Sequence, residues 1–197
     1  MENDKNIEVK KNYGVVANKI DTVNVNASIP KVRHTILSSF LEKLIENKVF
    51  ETNSEIHSIS YEINEKINYN NVIKYKDIIK KYSAYYSICD NALNQIDNTL
   101  VGSKSKIFSS INDRYLIIKG DHLKKRSQDN IPIMNVVKES SDLIMDEMVN
   151  FYMEFIMNIE NMDNYNYEDI EINIIALIIY CFIECKILEK PIVIKEV

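Results

Sequence analysis

NYNNVIKYKDIIKKYSAYYSICDNALNQID, residues 68–97, is the stretch that decides the fold. Its apolar positions Val72, Tyr75, Ile79, Tyr82, Tyr86, Cys89, Leu93 and Ile96 advance by alternating steps of three and four, the spacing of an amphipathic helix. Ile78, Tyr85 and Ala92 form a second row and widen the stripe. Neither Gly nor Pro occurs between Tyr61 and Val101. The spacing therefore predicts a helix of about 30 residues, roughly 45 Å long at 1.5 Å per residue. A rod of that length needs other helices packed along it.

Working outward, the whole chain supports a helical reading. Its 197 residues suffice for one domain with a real core, or one domain and a short appendage. Hydrophobic residues at 46% and charged residues at 27% are ordinary globular values, which excludes wholesale disorder. Only three glycines are present. Phosphate-cradling loops, doubly wound folds and tight-turn β architectures need glycine where the backbone takes positive φ or approaches a ligand, so this scarcity argues against them. A net charge of −5 makes nucleic acid an unexpected partner. The start MENDKNIEVKKN lacks the apolar core of a secretory signal, and the longest apolar run, IIALIIYCFI at 174–183, is too short to span a bilayer. Three cysteines, Cys89, Cys181 and Cys185, read as reduced thiols in a cytoplasmic protein.

Residues 1–29 differ in texture from the rest. Ile7, Val9, Tyr13, Val15, Val23 and Val25 alternate with polar neighbours, a two-residue period that suggests short strands at about 8–16 and 19–26. An isolated hairpin is marginal in water, so this β-type arm is expected to pair with a second copy of the chain through Tyr13, Val15, Ile20, Val23 and Val25. The alternative is an unstructured arm before the helices.

From Pro30 onward, residues 30–197 read as one helical domain. A first helix at about 31–48 carries Ile36, Leu37, Phe40, Leu41, Leu44 and Ile45 on its apolar face. The series Ile59, Ile63, Ile67 suggests another, broken or kinked at the asparagine-rich residues 68–71 before the long tyrosine-rich helix. Gly102 ends that helix, and Ile107, Phe108, Ile111, Tyr115 and Ile118 place one face of the next, about 104–122, on the core. After a polar loop to 130, Pro132 opens a helix at about 133–159 with Val137, Ile144, Met148, Phe151, Phe155 and Ile159 facing inward. The last helix, about 168–188, starts with Glu168, Asp169 and Glu171, which suit the positive end of the helix dipole. It is apolar nearly all round, as a helix buried between others must be, and Pro191 stops it. The expected architecture is all-α, a bundle of about five helices with a short N-terminal β-type arm.

Chemistry-bearing constellations are weak. Tyr75, Tyr82, Tyr85 and Tyr86 combine large rings with polar tips, which suits either core packing or a partner-binding surface, packing carrying the greater weight. The flanking Lys74, Lys76, Lys80 and Lys81 read as a solvated face before they read as a single-strand nucleic-acid platform. Cys181 and Cys185 share a helix face, but zinc needs two further ligands and His34, His57 and His122 show no ligand spacing, so no metal or other cofactor is expected. Arg114 and His122 lie farther apart than the pair used by small helical ribonucleases. Glu147 and Glu154, a heptad apart, read as solvent-facing. No catalytic residue is assigned.

Three segments, NYGVVANKIDTVNVN at 12–26, YEINEKINYNNVIKYKDIIKKYSAYY at 61–86 and IIALIIYCFIECKILEKP at 174–191, together resemble the C-terminal domain of effector proteins in bacterial ABC-three-component systems. That wider family includes Lamassu-type antiphage defence. The resemblance implies an adaptor, joining an effector to an SMC-like ATPase and a small middle component. The chain departs from the pattern in having about 30 residues before the helices, fewer than the ~100 a nuclease or protease domain needs, so an effector is expected on a separate chain or not at all. The expected function is thus a non-catalytic, homo-oligomeric interaction module. The alternatives are a small helical nuclease or nucleic-acid binder, and an antitoxin-like inhibitor of a partner enzyme.

Overall fold

A computed structural model describes residues 33–46, 61–160 and 162–192. The β-type arm, with Tyr13, Val15, Ile20, Val23 and Val25, lies outside the described residues. Within them the chain folds as α1 (Ile36–Glu46), α2 (Tyr61–Tyr69), α3 (Lys76–Tyr82), a 3-10 turn (Ser83–Tyr85), α4 (Tyr86–Thr99), α5 (Ser103–Lys125), α6 (Ile133–Met157), a second 3-10 turn (Met162–Asn164) and α7 (Tyr167–Ile183). No strand occurs among the described residues. The all-α bundle anticipated from the periodicity is therefore present.

The tyrosine-rich stretch behaves differently from a single 30-residue helix. α2 stops at Tyr69 because Asn71 adopts φ 54°, with the Val72 N–H donating to Ile67 O and the Asn71 N–H to Asn68 O. This is a Schellman closure with Asn in the left-handed position, which Asn tolerates better than other residues with a Cβ. The next turn is held from outside by Asp142 of α6, whose carboxylate accepts from the N–H groups of Ile73, Lys74 and Tyr75. Helical structure resumes at Lys76 and runs to Thr99, tightened at Ser83–Tyr85, where the Ser83 hydroxyl donates to Lys80 O at 2.8 Å. The break falls where asparagines cluster.

α7 is the axis of the body and touches α1, α3, α4 and α6. Ile174, Leu177, Ile178, Ile179, Cys181 and Phe182 are all buried, which explains an apolar surface on every side of this helix. Each large apolar side chain so enclosed contributes about 1.5–3 kcal/mol. α5 and α6 pack along one another, and α1 lies across α4 and α7 with Phe40, Leu41 and Leu44 fully buried. α7 ends at Ile183, several residues short of the anticipated 188. Cys185 takes φ 56°, the Lys186 N–H donates to Cys181 O and the Cys185 N–H to Phe182 O, a second Schellman closure.

Candidate functional site

α5 contributes Lys106, Ile107, Ser110 and Ile111 and α6 contributes three aromatic rings where they meet the start of α1, and the result is a cavity of about 280 Å3. Ile36, Leu37, Ile107, Ile111, Phe151 and Phe155 supply its apolar lining. A second hollow of about 460 Å3 shares Lys106, Ser110, Phe151 and Tyr152 with the first and adds Asp113, Arg114 and Ile117. Together they form an apolar recess with a charged mouth. The Arg114 guanidinium lies 3.6 Å from the centre of the Phe151 ring, a stacked cation–π contact that fixes it at that mouth.

Tyr152 lines both hollows. The residue is 2% exposed, and its hydroxyl makes no hydrogen bond among the described residues. Burial pushes this phenol up to about 12, opposed by the neighbouring Ser110 hydroxyl. An enclosed hydroxyl without a partner costs about 1–3 kcal/mol, so a fold retains it only at some penalty. Tyr152 escaped the sequence reading because the buried face of α6 is broader than the anticipated stripe, whose Val137, Ile144 and Met148 are buried as expected. Met145, Tyr152, Met153 and Ile156 are buried, whereas Phe151 and Phe155 sit at the stripe's edge. α6 packs on both α5 and α7, so its apolar face is wider than a single row of three-and-four steps.

A second polar cluster closes the end of α7. The Lys66 ammonium is 3% exposed, donates to Phe182 O and Ile187 O, and rests 4.5 Å from the Phe182 ring centre. Burial lowers its pKa to about 8. Asn70 pairs with the backbone of Glu189 in both directions, accepting from its N–H and donating to its carbonyl, each at 2.8 Å. The Glu189 carboxylate accepts from Tyr115 at 2.7 Å and from Lys119. Although burial works against ionisation, these donors hold Glu189 below the ordinary carboxylate range. Asn112 adds a bond to Lys186 O at 2.8 Å. The cluster is a splint for residues 184–189: its polar groups satisfy backbone atoms that the helix end leaves open.

The four tyrosines singled out on the long rod fall into two pairs. Tyr75 and Tyr85 are buried, and Tyr75 donates to Asp146 at 2.7 Å. Tyr82 and Tyr86 are half-buried against the core, with Tyr86 donating to Glu184 and its ring 5.1 Å from that of Tyr180. Tyr180 in turn donates to Asp90 at 2.7 Å, and Lys104 bonds the same carboxylate. The structure does not bring Arg114 and His122 together: Arg114 stacks on Phe151, while His122 pairs with Glu147 at 3.0 Å. Glu154 is exposed, and Glu147 is committed to that histidine pair. Cys89 and Cys181 are buried and Cys185 is exposed. Among the described residues no group of three metal-ligating side chains assembles, and no helix is long and apolar enough to cross a membrane. Compared with known proteins, the chain matches no family model, no curated protein and no solved structure.

Proposed function

We propose that this chain acts by binding another protein, as a docking module of a bacterial antiphage assembly working in the cytoplasm. The observation that carries this reading is the use made of the buried and half-buried polar groups. Lys66, Asn70, Asp90, Asp142 and Glu189 each hold a helix end or a neighbouring helix in place. Such bracing makes a rigid body, and rigidity lowers the ordering cost of docking. Tyr82 and Tyr86, half-exposed on the α3–α4 rod, present ring edges of the kind that anchor interfaces, with the buried Tyr75 and Tyr85 supporting them. The resemblance to ABC-three-component effectors supplies the partner: an SMC-like ATPase, with a middle component or a separate effector chain.

Affinity capture of the full chain from cells expressing its neighbouring genes tests the partnership. An ATPase in near-stoichiometric amount is expected, and Tyr82→Ala should reduce its recovery while thermal unfolding shows the fold intact. Capture of the chain without an ATPase would overturn the assignment. Self-association through Tyr13, Val15, Ile20, Val23 and Val25 belongs to the same reading. Light scattering should give a multiple of the 23.0 kDa chain mass, reduced by Val15→Asp with Val23→Asp.

A further inference from the structure

We propose that the recess between α1, α5 and α6 binds a small amphiphilic acid, its alkyl chain in the apolar cavity and its carboxylate at the Lys106–Arg114 mouth. This goes beyond the protein-docking reading and does not depend on it.

The first cavity has about 280 Å3 and walls of Ile, Leu and Phe side chains. That lies just below the roughly 300–1,000 Å3 range of pockets for drug-sized ligands, and fits a medium-length alkyl chain better than a fused ring system. The adjoining hollow has two cations, Lys106 and Arg114, against one acid, Asp113, so an anion is favoured over a cation there. Arg114 is already positioned by its stacking on Phe151, so little side-chain freedom is lost when it meets a carboxylate.

Tyr152 provides the independent sign of a missing partner. Its hydroxyl is buried without a hydrogen bond, at the junction of the two hollows and next to the exposed Ser110. A carboxylate at the mouth would accept a hydrogen bond from the Ser110 hydroxyl. Ser110 Oγ would then accept from the Tyr152 O–H. Ser110 and the two cations would thus meet the headgroup directly, and the enclosed phenol would act through Ser110, completing the hydrogen bond it lacks in the unliganded chain.

Isothermal titration of the full chain with sodium decanoate, kept below its micellar concentration, tests the assignment. One saturable site is expected. Acetate, which lacks the chain, and decyltrimethylammonium, which reverses the headgroup charge, should bind at least roughly tenfold more weakly, a difference of about 1.4 kcal/mol. Ser110→Leu, which plugs the mouth, should abolish decanoate binding. Tyr152→Phe should weaken it several-fold while leaving the unliganded chain as stable as before, or more so. Arg114→Gln should weaken decanoate but leave the binding of decanol unchanged. Absence of a saturable decanoate site, equal binding of the cationic amphiphile, or decanoate binding untouched by Ser110→Leu would each overturn the proposal.

Discussion

Lys66 shows how one side chain can both brace a fold and tax it. Two carbonyls and the Phe182 ring hold its ammonium, yet burial brings its pKa from 10.5 down to about 8. Below about pH 8 the folded and unfolded chains both carry the proton, and the folded one bears the full desolvation cost. Between about 8 and 10.5 the unfolded chain binds the proton more tightly, so this position makes stability rise with pH by about 1.4 kcal/mol per unit. Lys66→Met removes that slope. The advantage of wild type over this variant, read from urea midpoints, should therefore widen across that window. Cys185 offers a separate test, because it holds φ 56° at the close of α7, a position where glycine is unstrained. Cys185→Gly should raise stability by up to about 1 kcal/mol, and Asn71→Ala, at the matching position after α2, should lower it by a similar amount.

The elements owe their boundaries to contacts of unequal range. The closure of α2 is local: asparagines at 68, 70 and 71 make it legible in the residues themselves. The delay of α3 to Lys76 is not, because the N–H groups of residues 73–75 are taken by Asp142, about seventy positions away in the chain. Nothing in the periodicity of 68–97 could announce a carboxylate on α6. Asp142→Ala should cost about 1–2 kcal/mol, as the loss of a helix cap does, with Asp142→Asn costing less because it keeps one acceptor oxygen. Equilibrium unfolding of the two variants checks the order. The spacing in α6 predicts Phe151 and Phe155 inward, and the structure places these rings at the edge of its buried face, where they line the recess.

At the scale of the molecule, stability concentrates on α7. Leu177→Ala, at a fully buried position, should cost about 2–5 kcal/mol, whereas Ile117→Ala, 54% exposed on α5, should change stability by less than about 0.5 kcal/mol. The body should also lose stability in alkali, in opposition to the Lys66 contribution. Burial raises the Cys89 thiol to about 12, and the bond to Glu184 raises Tyr86 to about 12; burial also raises Tyr75, Tyr115 and Tyr180. Folded acids with raised pKa values hold protons that the unfolded chain releases, so this stability is complete below about pH 9 and falls as pH climbs through the ordinary thiol and phenol values. The phenolate absorbance contributed by Tyr75, Tyr115 and Tyr180, read as the difference from their Phe variants, should accordingly rise together with unfolding rather than before it. The sequence by itself determined the helical class, the order of the helices and the burial of α7, because these follow from apolar spacing and from breakers lying within a few residues of their effect. Tertiary structure alone decided the splint at residues 184–189, the cap that delays α3, and the recess around Tyr152. Each joins side chains from helices distant in sequence, and a one-dimensional period has no information about which faces will meet.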